Sequence, residues 1–160
     1  RLLAGRRDDW HAVFAGAGDA VPSVLALRDE LALGDSVEFV GFLEDEALIT
    51  LLSSADVCLS PEPSNALNDA STMIKVVEYL GLGRPIVAYD LRETRFSAGE
   101  AALYATPNEP ASLASCLETV LDDAELRERM SAAGRQRVGE LSRTRSEQSL
   151  LAAYERATAS

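Results

Sequence analysis

The apolar positions of the chain fall into short runs separated by longer stretches of helical spacing. The runs are Ala12-Val13-Phe14-Ala15, Val37-Glu38-Phe39-Val40, Val57-Cys58-Leu59, Ile86-Val87-Ala88-Tyr89 and Leu103-Tyr104. Between them, apolar residues recur at helical spacing from about Val21 to Leu33, Glu44 to Ser54 and Ser71 to Leu82. Strand and helix signals that alternate in this way predict βαβ units and a parallel sheet. Runs that are continuously apolar predict strands covered on both faces. Gly34-Asp35 and the stretch from Gly81 to Pro85 are stop signals for two of the helices. Asp45 and Glu46 place acidic side chains at the positive end of another. After Tyr104 the pattern turns helical, from Pro110 to about Leu121, from Asp123 or Ala124 to about Val138, and again from Ser142. The expected fold class is α/β: a Rossmann-like parallel sheet flanked by helices, with an all-helical C-terminal tail, in a single domain over residues 1–160.

Length and charge narrow the function. The 160 residues fit one domain. Lys and Arg number 15 against 26 Asp and Glu, a net charge of −11. That balance argues against nucleic acid as a partner, because phosphates need clustered basic residues. It argues equally against direct contact with an anionic membrane. No run approaches the ~18 apolar residues of a membrane-spanning helix, and the opening carries no signal-peptide pattern, so the expected location is cytoplasmic. Cys58 and Cys116 read as small core residues in a reducing compartment. With the single His11 they cannot fill a four-ligand zinc site, and no metal is expected. The opening Arg1-Leu2-Leu3-Ala4 has no methionine and reads as the tail of a helix, so a piece of a longer protein is expected.

Parallel sheets bind ligands beyond the carboxyl ends of their strands. The informative segments are therefore Gly16 to Asp19, Gly41 to Leu43, Pro61 to Ser71 and Asp90 to Gly99. Gly16-Ala17-Gly18 opens like a dinucleotide fingerprint, but Val21 stands where a third glycine is needed. The next strand ends in Gly41-Phe42-Leu43, without the acidic residue that would hold a ribose hydroxyl. A nicotinamide or flavin is thus not expected. Gly16 marks either a tight turn or a turn that also approaches a ligand.

The loop beginning at Pro61 is longer than the ~2–6 residues usual after a strand, and such loops are often functional. Ser71 or Thr72 can cap the helix that follows. The amides from Thr72 through Met73 to Ile74 would then form a phosphate-binding helix start. Ser71, Lys75 and Glu78 are four and three residues apart and share one helix face. A carboxylate at Glu78 can accept two hydroxyl hydrogen bonds from a ribose. The same spacing also fits a Lys75–Glu78 pair on a solvated face. Asp90-Leu91-Arg92-Glu93-Thr94-Arg95 reads as charge at the ligand edge or as a solvated loop with local ion pairs. His11 reads as a boundary residue, and Trp10 and the tyrosines as packing residues. Arg127, Arg129, Arg135 and Arg137 alternate with acids, as on a solvated face.

Four stretches in order carry a resemblance. They are Val13 to Asp19, Val37 to Leu43, Ser54 to Pro61, and Val76-Val77-Glu78-Tyr79-Leu80-Gly81-Leu82-Gly83-Arg84-Pro85-Ile86-Val87. Together they resemble the C-terminal, nucleotide-sugar-binding half of retaining GT-B glycosyltransferases, the group 1 or family 4 enzymes, over nearly the whole chain. The family hallmark is two glutamates separated by seven residues. Glu78 matches the second, and counting back eight positions lands on Ala70, so the first is absent. Asn68, Asp69 or Glu62 could substitute, with Asp69 nearest in register.

The resemblance implies transfer of a glycosyl group from a nucleotide-diphosphate sugar to an acceptor that the sequence does not specify, with retention of configuration. It implies Glu78 on the donor ribose, the diphosphate on the amides of Thr72, Met73 and Ile74 beside Ser71 and Lys75, and the base near Gly41, Phe42 and Leu43, with Gly16 on the same edge. Asp69 is the catalytic candidate, with Asn68 beside it at the sugar. No cofactor and no divalent metal are implied. The implied partners are the nucleotide sugar and an N-terminal acceptor domain of the same full-length chain. The resemblance also implies a first strand preceding this segment, and an isolated fragment without turnover. Two other readings stay open: a non-catalytic nucleotide-binding or interaction module, and an epimerase-like enzyme of the same architecture.

Overall fold

The computed structural model describes residues 1–141 and 143–158. They gather into two compact units, Arg1–Ser54 and Ala55–Ser160. In the first unit, β1 (Ala12–Ala15), α1 (Val21–Glu30), β2 (Val37–Gly41) and α2 (Asp45–Ser54) follow one another. β1 and β2 pair in parallel, with a bulge between Phe14 and Ala15. Phe14 and Phe39 face each other across this pair, their rings stacked at 4.9 Å. Neither α1 nor α2 contributes a buried residue. α1 ends at Glu30, short of the expected Leu33, because Ala32 turns to φ 52°, outside the helical region.

The second unit holds β3 (Cys58–Ser60), α3 (Ile74–Gly81), β4 (Ile86–Tyr89), α4 (Arg92–Ala98), β5 (Ala102–Ala105), α5 (Pro110–Asp122), α6 (Ala124–Glu140) and α7 (Arg143–Thr158). The strand order is β3-β4-β5, all parallel. The expected parallel pairing therefore holds in every pair, β1 with β2 in the first unit and β3, β4 and β5 in the second. Ser142, where the last helix was expected to begin, lies outside the described residues.

The core lies on both faces of β4, all four of whose residues are buried. On one face Ile86 and Ala88 meet Val76 and Leu80 of α3 and Ala98 of α4. On the other Val87 meets Val120 of α5 and Met130 of α6. Burying one such aliphatic side chain contributes ~1.5–3 kcal/mol, so β4 and α3 are the best-anchored elements here. Cys58 and Cys116 are both free, and Cys58 is buried in the strand core.

α3 stops cleanly. Gly83 sits at φ 62°, Gly83 N–H donates to Leu80 O at 3.0 Å, and Arg84 N–H donates to Tyr79 O at 2.9 Å. These two bonds complete a Schellman cap, and Pro85 then leads into β4. The charged segment after β4, one of whose two readings is a solvated loop, is mostly the short helix α4. Its buried side is Thr94, Ser97 and Ala98, too polar and too short to register as an amphipathic helix.

Candidate functional site

β3 delivers the chain to the carboxyl edge of its sheet at Ser60. Ser60 is 1% exposed, and its hydroxyl donates to Glu62 Oε2 at 2.6 Å. The other carboxylate oxygen, Oε1, forms an ion pair with Lys75 Nζ. Burial pushes the Glu62 carboxyl upward, but the bonds from Lys75 and Ser60 outweigh it and hold it below the usual carboxylate range.

The loop beyond Glu62 is folded by its own amides and hydroxyls. Asn65 Oδ1 accepts from the N–H groups of Leu67 at 3.0 Å and Asn68 at 2.9 Å. This Asx turn leads into a 3₁₀ turn at Asn68–Ala70. Asn68 Nδ2 donates to Pro63 O at 2.8 Å, and Ser71 Oγ donates to Leu67 O at 2.6 Å. Asn68 and Ser71 are thus engaged in shaping the loop, a structural use that spacing alone did not reveal. Asp69 Oδ2 accepts from Ser64 Oγ at 3.1 Å. Its Oδ1 is buried and takes no hydrogen bond among the described residues. Buried carboxylate oxygens are usually satisfied, so this atom stands out.

The start of α3 differs from the expectation. Neither Ser71 nor Thr72 caps it. Met73, extended at φ −82° and ψ 114°, precedes the first helical residue without a side-chain cap. Ser71 is drawn back onto the 3₁₀ turn, and Thr72 Oγ1 reaches Glu93 Oε2 at 3.5 Å. The opening amides are therefore those of Ile74, Lys75 and Val76, not those of Thr72 to Ile74. Of these, Val76 N–H already donates to Met73 O at 3.0 Å. Ser71 does not share a helix face with Lys75 and Glu78, since it precedes the helix. Lys75 is engaged by Glu62, not by Glu78, so the expected solvated Lys75–Glu78 pair is not what forms.

Glu78 lies one turn into α3 and is exposed. Val76 and Leu80, both fully buried, occupy the opposite face. At 1.5 Å per residue, Glu78 is ~6 Å along the axis from Ile74, comparable to the distance from a nucleotide's phosphates to its ribose. Beyond β4, Arg95 grips Asp90 through Nε and Nη2, both at 2.6 Å, and lies 4.1 Å over the Tyr104 ring. The segment after Tyr89 thus carries the local ion pair that was one of its two readings. Sequence reasoning missed Asn108 altogether. It sits at φ 62° in the turn after β5 and bonds to Ser64. The Pro107-Asn108 turn was the available signal.

In the first unit, Gly16 and Gly41 adopt φ 138° and 71°, and Gly16 N–H donates to Gly41 O at 2.7 Å. Only glycine takes the first of these conformations freely. Phe42 is 74% exposed just beyond, with Leu43 half-buried.

Residues 1–123 match the family model described as Glycosyl transferases group 1. The chain belongs to that family. As a group 1 glycosyl transferase chain, it is 30% identical over 131 residues to the alpha-D-kanosaminyltransferase of Streptomyces kanamyceticus, covering 81% of this chain and 33% of that protein. Its fold is that of the sucrose-phosphate synthase from Thermosynechococcus elongatus, with a TM-score of 0.76 at 23% identity, covering 99% of this chain and 41% of the other. It is also that of HepE from Anabaena in complex with UDP and glucose, with a TM-score of 0.68 at 23% identity, covering 92% and 42%. These are GT-B structures, which bears out the expected fold class. The chain spans a third of the curated relative's length and about two fifths of each structure. Among the described residues, no helix is long and apolar enough to cross a membrane.

Proposed function

We propose that this chain is the donor-binding half of a retaining glycosyltransferase, which moves a sugar from a nucleoside diphosphate to an acceptor. The observation that carries the reading is the start of α3. Opening amides at Ile74 and Lys75 and an exposed carboxylate at Glu78 lie one helical turn apart on a well-anchored helix at the carboxyl edge of β3 and β4. The diphosphate sits on the amides, favoured by the positive end of the helix dipole. Glu78 accepts hydrogen bonds from the ribose hydroxyls. As the glycosidic bond breaks, charge grows on the leaving diphosphate. Fixed N–H groups and the Lys75 ammonium stabilise it there, the kind of term that often dominates catalysis.

Asp69 takes the sugar. Its buried Oδ1 takes no hydrogen bond among the described residues, and a sugar hydroxyl would supply one. Asp69 thereby stands in for the absent first glutamate at Ala70. The binding of UDP by HepE, a GT-B protein of the same fold, supports the reading. The acceptor would be held by another part of the full-length protein.

The test is calorimetric titration of the purified protein with UDP, GDP, ADP and dTDP. One of the four binds, and Glu78→Ala weakens it. Binding of none, or binding indifferent to Glu78, favours a non-catalytic module instead.

A further inference from the structure

Lys75 is the one side-chain cation on the first turn of α3, yet it is not offered bare to a ligand. Its Nζ is paired with Glu62 Oε1. Glu62 is itself fixed, since its other oxygen takes a 2.6 Å bond from a serine hydroxyl that is 1% exposed. The side chain of Glu62 is 18% exposed and that of Lys75 37%, so the carboxylate lies deeper and the ammonium nearer to solvent. A carboxylate this close to an anion site opposes phosphate unless a cation shields it. Here the shield and the phosphate ligand are the same group.

We propose that Glu62, clamped by Ser60, is a positioning residue that keeps the Lys75 ammonium partly neutralised at the start of α3 and so sets how tightly the site grips phosphate. The inference rests on the donor-site reading above. A diphosphate arriving at α3 must share the ammonium with Glu62 or draw it away. Removing the carboxylate charge frees the ammonium and tightens the diphosphate. A nucleoside without phosphates has no stake in the exchange. Function gains from the arrangement because a diphosphate product held too firmly leaves slowly.

The experiment titrates wild type, Glu62→Gln and Lys75→Met with the nucleoside diphosphate that wild type binds best among UDP, GDP, ADP and dTDP, and with its parent nucleoside. Glu62→Gln keeps an oxygen to accept from Ser60, and thermal unfolding verifies that the fold stands. The expected result is a gain of about tenfold for the diphosphate in Glu62→Gln, the scale of one nearby charge in a half-buried site, with the nucleoside unmoved. Lys75→Met loses about tenfold on the diphosphate alone. Weaker or unchanged diphosphate binding by Glu62→Gln overturns the proposal, as does an equal shift for the nucleoside or an indifferent Lys75→Met. If wild type binds no diphosphate at all, the donor-site reading itself falls, and this inference with it.

Discussion

Ser64 and Asn108, 44 residues apart, clasp each other: Ser64 N–H donates to Asn108 Oδ1 at 2.8 Å, and Asn108 Nδ2 donates back to Ser64 O at 3.3 Å. The clasp ties the loop carrying Glu62 and Asp69 to the turn after β5. Asn108 holds φ 62°, a conformation that asparagine tolerates better than most residues. Asn108→Ala removes both bonds and keeps the unfavourable φ, and should cost about 1–3 kcal/mol in denaturant unfolding. Asn108→Gly removes the bonds but relieves the φ, and should cost less. Faster hydrogen exchange at the Ser64 amide in both variants would locate the effect in the clasp.

Glu78 makes a sharper chemical prediction. If its carboxylate accepts from both ribose hydroxyls, Glu78→Ala should weaken a ribonucleoside diphosphate by about 10–100-fold, the worth of hydrogen bonds to a charged group. The loss should shrink for the corresponding 2′-deoxynucleotide, which offers one hydroxyl fewer. Because Glu78 is exposed, the melting temperature should move little. Calorimetry with the two nucleotides, set beside thermal unfolding, checks all three statements.

The glycine at the end of α3 supports the same helix from behind. Gly83→Ala puts a Cβ on a residue at φ 62° and drives it into the Arg135 guanidinium. The expected cost is about 1–3 kcal/mol. Adding Arg135→Ala removes the collision but not the backbone strain, so it should restore part of the stability and no more. Denaturant midpoints of the two variants and the double variant provide the measurement.

Asp90 gives a pH signature. The Arg95 bonds hold its carboxyl below the usual carboxylate range, outweighing a modest upward push from burial. A carboxyl whose pKa is lowered by folding adds stability above its unfolded pKa and loses it as pH falls through the folded value. Asp90→Asn should therefore be less stable than wild type at neutral pH, and the gap should close as the pH drops below about 4. The pair is exposed, so the gap should also narrow in high salt. Urea midpoints from pH 7 to pH 3 test this.

Much of the fold was legible in the sequence because its signals are local. The wholly apolar run from Ile86 to Tyr89 is the central strand of its ladder, and Gly83-Arg84-Pro85 is the helix stop it reads as. α4 was missed because its buried side is Thr94, Ser97 and Ala98, residues that leave no hydrophobic period. The candidate site was legible in composition but not in register. Ser71 and Thr72 are good caps by type, yet Ser71 bonds backward to Leu67 and the helix waits until Ile74. Spacing offered Glu78 as the neighbour of Lys75. The actual neighbour, Glu62, lies across a loop whose path depends on the Asn65 turn and the Asn108 clasp. Contacts that close over a long loop have no periodicity to betray them.

The most direct test of the account is a map of backbone amide shifts as the best-binding nucleoside diphosphate is titrated into the isotope-labelled protein. The account predicts the largest movements at Ile74, Lys75 and Val76, with further changes at Asp69 and Glu78. Saturable shifts that leave the start of α3 still, and gather elsewhere on the protein, would contradict it.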